Sequence, residues 1–224
     1  MSARSRAAGG PTAPAVPALD LHDLEDGPAE LLLGGRALEA VRIGSADVSG
    51  WNLADLALDE CELVELTAHE TDLRGSRLTE TRLLRPAASA LRATDSSWRQ
   101  VELDGARIGA LALDGAHIGQ LLIRGGKIDW LSLRGAEVAD LRLEDVTLGS
   151  LDLFEASATR VALPGSTVEE LSLHRARLSS VDLRGLRPGA LHGIDGLRGA
   201  TVDPVTLLDL APALAEHLAI RVRD

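Results

Sequence analysis

From Leu33 to Leu183 every fifth residue is apolar and the phase never slips. Of these 31 positions, 26 are Leu, Ile or Val, and the exceptions are Ala68, Ala88, Ala93, Trp98 and Ala158. Five is not a helical period: at ~100° per residue, every fifth side chain turns ~140° around a helix, and no apolar stripe forms. Nor is five even, which excludes one long strand. A chain that turns a corner every five residues satisfies the pattern. Four corners close a square coil of four pentads, and stacked coils pair backbone to backbone at the ~4.8 Å strand spacing.

The residue two before each centre supports the square. At 101, 111, 121, 131, 141, 151, 161, 171 and 181 it is Leu or Val; at 106, 116, 126, 136, 156, 166 and 176 it is Ala, Gly or Ser, and Val146 is the one large member of that set. Two residues apart on a short extended segment, both side chains point inward. Large pairs therefore alternate with small ones around each coil. Gly follows the large pairs at 105, 115, 125, 135, 165 and 185, where a tight corner favours it.

The pattern, read as Ala106-Arg107-Ile108, Ala136-Glu137-Val138 and Ala176-Arg177-Leu178, resembles the pentapeptide-repeat family, whose consensus is roughly Ala-Asp/Asn-Leu-x-x. The resemblance covers roughly residues 31–186 and implies an all-β solenoid, a right-handed quadrilateral β-helix. Two departures from the family are an Ala-x-Leu form that alternates with Leu-x-Leu and the lack of Phe at the centres. Hexapeptide solenoids lose phase within one coil. Leucine-rich repeats share the rhythm of Ile118-Gly119-Gln120-Leu121-Leu122-Ile123, but carry it once per 20–29 residues, whereas here it returns every ten.

The expected organisation is a flexible tail over 1–18, rich in Ala, Pro, Gly and Ser, an N-terminal cap over 19–32, the β-helix over 33–186, and a C-terminal segment over 187–224. At ~4.8 Å per coil, seven to eight coils make a rod ~35–40 Å long, whose open ends need caps. Trp51, two before a centre, plugs the first coil. Pro86–Trp98 is the weakest stretch: either a loop bulges there or Trp98 fills the space left by Ala88 and Ala93. Arg187-Pro188-Gly189 reads as a turn. Asp203-Pro204 opens a short helical cap with Leu207, Leu210, Ala211, Leu214, Ala215 and Leu218 on one face and Leu208 off it. Pro212 should break or kink it, and 220–222 suits a last short strand. The resemblance implies a homodimer contact in this segment, with Leu207, Leu208 and Leu214 as candidates; a simple cap is the alternative.

Charge adds the functional clue. Net charge is −11, and residues 19–72 hold fourteen acids against Arg36 and Arg42, whereas the remainder holds 20 acids and 21 bases. The densest run, Asp55, Asp59, Glu60, Glu62, Glu65, Glu70 and Asp72, is the candidate partner-binding set. The next coil reverses sign with Arg74, Arg77, Arg82, Arg85, Arg92 and Arg99. Some pentapeptide-repeat proteins are acidic rods that imitate duplex DNA and bind type II topoisomerases, so the resemblance implies DNA gyrase or topoisomerase IV as a partner. Lys- and Arg-lined grooves attract carboxylates as they do phosphates. Against it, no face beyond the second coil is purely acidic. The alternative is an interaction scaffold with an unrelated protein partner. Trp130 and Phe154 face solvent by phase, and Trp130 joins the candidate partner-binding residues.

Catalysis is not expected. The six His show no metal-ligand spacing, Cys61 points into the core as a small apolar filler, and no nucleophile elbow, phosphate loop or dinucleotide fingerprint occurs. No cofactor and no metal are expected. A pI near 5.0 argues against direct nucleic-acid binding. No apolar run reaches a membrane span and no signal peptide is evident, so a cytoplasmic protein is expected.

Overall fold

The computed structural model describes residues 10–35, 37–221 and 223. The chain is an all-β parallel solenoid of about eight coils closed by one short helix. Each coil takes twenty residues, so that Ile108 lies over Ile128, Leu148 over Val168, and Leu121 over Leu141. We number the coils from residue 36 and the four pentads of each as faces one to four. Faces one and two run together in the strands Arg77–Leu84, Ser97–Asp104, His117–Arg124 and Glu137–Glu144. Face three and the start of face four form a second sheet through Ala87–Arg92, Arg107–Ala112, Lys127–Ser132, Thr147–Asp152 and Thr167–Ser172.

The centres and the residues two before them fill the interior as columns. Leu111, Leu131, Leu151 and Leu171 stack on one side, and the small residues Ala116, Ala136 and Ala156 on the next, all buried. The corners after faces two and four are left-handed in successive coils, at Arg85, Gly105, Gly125, Asp145, Gly165 and Gly185 and at Gly75, Asp95, Gly115, Gly135, Glu155 and Arg175. Those are the positions where sequence most often supplies Gly, because only a residue without Cβ turns there unstrained. No loop bulges over Pro86–Trp98: Ala87 keeps its twenty-residue register with Arg107. Trp98 is buried over Leu78 and under Ile118, in the same core cluster as Ala88 and Ala93, and its Nε1 has no partner among the described residues.

The ends differ from the regular five-step. Leu33, the first residue of the apolar series, is exposed; it lies in the 3-10 helix Ala29–Gly34, and its neighbour Leu32 is the one buried against the core. The preceding strand Glu25–Gly27 pairs Glu25 with Val41, an offset of sixteen rather than twenty, so the square has not yet closed. Trp51 packs half-buried against the core. At the other end the stack continues past Leu186. Arg187-Pro188-Gly189 is not a turn but the start of the strand Arg187–His192, which pairs with face three of the coil below. Centre residues of that face donate their N–H to the next coil, as Ala68 does to Ala87 at 2.8 Å. Pro188 has no N–H and sits where no further coil follows, so it ends the ladder without an orphaned donor.

The helix Pro204–His217, α1, is continuous through Pro212. The bond that Pro212 removes is to the carbonyl of Leu208, on the exposed side of α1 where Leu207, Leu208 and Asp209 all face solvent. The Asp203 carboxylate caps α1 by accepting from Thr206 N at 2.8 Å and ties it to the rod by accepting from Gly185 N at 2.6 Å. Those amide bonds hold its pKa below the ordinary carboxylate value. Thr206 is buried and donates to the carbonyls of Leu183 and Leu186. Ile220 and Arg221 form no strand, and Val222 lies outside the described residues.

Candidate partner-binding surfaces

The acidic run folds into a girdle and not into a stripe. Asp55, Glu60, Glu65 and Glu70 occupy four successive corners, all left-handed. They stand at the four edges of one coil, with Asp59, Glu62 and Asp72 between them. Arginines of the coil above then neutralise three of these carboxylates, on faces two and three. Arg82 reaches Glu62 at 3.3 Å, Arg85 reaches Glu65 at 2.9 Å and Arg92 reaches Glu70 at 2.5 Å. Arg42 adds a second partner to Glu62 at 2.8 Å, and Arg74 holds Asp72 at 2.7 Å. Hydrogen bonds from Arg85 and Ser45 lower the pKa of Glu65, and that from Arg74 lowers the pKa of Asp72.

Asp55, Asp59 and Glu60 form no ion pair among the described residues. Glu39 lies directly under Asp59 in the parallel ladder, and Glu80, at a left-handed corner, stands one coil above Glu60. Neither Glu39 nor Glu80 is paired among the described residues, and neither belongs to the run singled out by its density. Their signal was the twenty-residue column, which only the coil length reveals. The result is one patch of five carboxylates around face one of coils one to three. Arg77, exposed and stacked over Ala57, lies on the same face; three coils span two strand spacings, ~10 Å, so five acids less this one base leave roughly one net charge per 2.5 Å, against the ~1.7 Å per charge of duplex DNA.

Trp130 stands at a corner of face three, 36% exposed, beside a shallow groove whose walls include Asp152, Glu170, His174 and His192. Phe154 is not free. It lies half-buried with the Arg134 guanidinium 4.5 Å and the Arg175 guanidinium 5.9 Å from its ring centre, and so serves the rod itself. Of the residues suggested for a dimer contact, Leu207 and Leu208 are exposed, and Leu214 is half-buried. With Val205, Leu218 and Ile220 they leave an apolar surface at the C-terminal end. Cys61 is buried, and burial pushes its thiol pKa up, as suits a core filler. No group of His, Cys, Asp or Glu suited to a metal ion occurs among the described residues. No helix among them is long and apolar enough to cross a membrane.

Five-residue faces in twenty-residue coils define a four-sided parallel β-solenoid. No family model matches the sequence, and no curated protein matches it. Among solved structures, the chain is similar to QnrB1, a plasmid-mediated fluoroquinolone resistance protein, at 18% identity over 85% of this chain and 91% of that one, with a TM-score of 0.32. It is similar also to HetL, a pentapeptide-repeat protein involved in heterocyst differentiation regulation in the cyanobacterium Nostoc, at 17% identity over 77% of this chain and 94% of that one, with a TM-score of 0.25.

Proposed function

We propose that this chain is a non-catalytic protein-binding rod that presents the carboxylates of face one to a basic, DNA-binding surface, with a type II topoisomerase as the specific partner. The observation that carries the reading is the charge density of Glu39, Asp55, Asp59, Glu60 and Glu80, which form no ion pair among the described residues and share their face with one exposed base, Arg77, while carboxylates of the neighbouring faces are paired with arginine. A surface built to hold phosphates attracts such a patch over long range, and salt weakens the attraction. The apolar face of α1 supports a homodimer through Leu207 and Leu208, which would place two acidic patches at opposite ends of one longer rod.

The alternative, a scaffold for an unrelated protein, draws on the short extent of the patch and on exposed Trp130, an aromatic anchor outside it. Binding of purified gyrase and of topoisomerase IV to the immobilised chain, with a short DNA duplex as competitor, separates the two. The first reading expects binding that the duplex displaces and that D59K/E60K abolishes. Binding that ignores the duplex and fails with Trp130→Ala would favour the second.

A further inference from the structure

Face two carries a second layer that the repeat does not require. Its outermost column reads Arg42, Glu62, Arg82, Glu102, Leu122, Arg142 and Ala162. Leu122 and Ala162 point outward by phase and are nevertheless buried, apart from the main core cluster; Leu122 is 5% exposed. Leu19 is likewise buried outside that cluster, at 7%. The segment before the first coil lies along the rod here, across the strands. The Leu19 amide donates to Glu102 Oε1 at 3.2 Å, and the Leu19 carbonyl accepts from Arg82 Nη2 at 3.1 Å. Four residues earlier the Ala15 amide donates to Asp140 Oδ1 at 2.8 Å. Residues 10–18 are therefore not a free tail. Composition alone conceals this, because one leucine and two main-chain clamps do the fixing.

We propose that the trough on face two is a peptide-docking site, occupied here by the chain's own N-terminal segment, and that it takes in exchange an extended, proline- and alanine-rich peptide of a partner protein with one aliphatic anchor. The chemistry of the seated segment defines the ligand. Glu102, Arg82 and Asp140 read main-chain N–H and C=O groups, which every peptide offers. Selectivity comes from the aliphatic anchor, Leu19 in the seated segment, which like Leu122 and Ala162 on this face is buried outside the main core. Pro11, Pro14 and Pro17 keep the backbone extended and carry no N–H, so few donors need partners and little entropy is lost on docking. The site also survives being emptied. Glu102 keeps Arg82 at 3.0 Å and Asp140 keeps Arg160 at 2.5 Å, and both carboxylates lie on the outside of the rod, so release exposes them to water and strands no charge. The trough is separate from the carboxylates of face one, and neither reading needs the other.

The test uses the full chain and a fluorescent peptide with the sequence of residues 10–24. Leu19→Asp in the chain loosens the resident segment and leaves the trough intact, so that chain should bind the peptide. The unaltered chain should bind at least about tenfold more weakly, because its own segment competes at high effective concentration. Leu122→Asp added to the Leu19→Asp chain should abolish binding, as should Leu19→Asp in the peptide. Circular dichroism and the melting temperature confirm that each variant is folded. A folded Leu19→Asp chain that does not bind the peptide, or that binds it no better than the unaltered chain does, overturns the proposal.

Discussion

Glu62 lies between two arginines, one a coil below and one a coil above: Arg42 Nε at 2.8 Å and Arg82 Nη1 at 3.3 Å. Arg82 in turn reaches Glu102, so four charges of alternating sign climb face two at the spacing of the coils. Twenty residues separate neighbours in sequence and one strand spacing separates them in space. Glu62 and Glu102 are both buried. Arg82→Gln leaves two buried carboxylates short of a partner and frees the Leu19 carbonyl. We expect a loss of about 1–3 kcal/mol in chemical denaturation, with faster amide exchange at Leu19.

Core columns should respond more strongly than any surface pair. Leu131, fully buried between Leu111 and Leu151, leaves a cavity when cut to alanine, and the coils above and below cannot collapse into it. The expected loss is about 2–5 kcal/mol. Trp98→Phe should cost less than its lost area suggests, because it also removes the unpartnered indole N–H. Urea titrations of the two variants side by side check the order.

Adjacent glycines separate backbone strain from steric contact. Gly125 and Gly126 both have positive φ, but a Cβ on Gly125 meets nothing within 4 Å, whereas one on Gly126 meets the backbone of Ala106, its amide N at 2.6 Å. Gly125→Ala should cost about 1–2 kcal/mol from the left-handed corner alone. Gly126→Ala should cost distinctly more, because a backbone must move. Gln100, a left-handed corner without glycine, offers the converse: Gln100→Gly should stabilise by a few tenths of a kcal/mol, the strain relieved less the added freedom of the unfolded chain.

Acid should loosen the rod. Burial acts to raise the pKa of Asp140, but the hydrogen bonds from Arg160 and Ala15 outweigh it and hold the group below its ordinary value. Hydrogen bonds from Arg142 lower Glu144, and those from Arg184 lower Asp182. With folded values below unfolded ones, the unfolded chain binds more protons as pH falls. The stabilisation is therefore complete above the ordinary carboxylate range of about 4 and is lost as pH falls through the lowered folded values. Melting temperature should be flat from about pH 5 to 7 and should fall below about pH 4. Asp140→Asn should flatten part of that fall.

The apolar end should govern assembly. Leu208→Asp places a charge on a residue that is 74% exposed, so a monomer tolerates it without loss of melting temperature. Sedimentation should show a dimer for the unaltered chain and a monomer for the variant. An unchanged sedimentation coefficient would assign α1 to capping alone.

The fold was legible because every coil repeats one requirement, an apolar centre at each corner-to-corner step, and that requirement is local. What was not legible depends on contacts twenty or more residues apart. Leu33 continues the five-step in sequence, yet it lies where no preceding coil exists to bury it. Pro188 reads as a turn until its missing N–H is seen to face the open end. The seven acids were visible as a dense run, but their division into paired and unpaired groups was not. Arg82, Arg85 and Arg92 meet them only because each coil takes twenty residues, and the same register adds Glu39 and Glu80. Leu19 gave no periodic signal at all, because its partners on face two are main-chain clamps far along the chain.

The most direct test of the proposed function is DNA supercoiling by gyrase in the presence of the purified chain, across a range of salt concentrations and with and without a quinolone. The proposal predicts inhibition or drug protection that fades as salt rises and disappears with Asp55, Asp59 and Glu60 changed to alanine, while Glu65→Ala and Glu70→Ala, which remove carboxylates already paired with arginine, have a much smaller effect. Supercoiling unchanged at a large molar excess of the folded chain would contradict it.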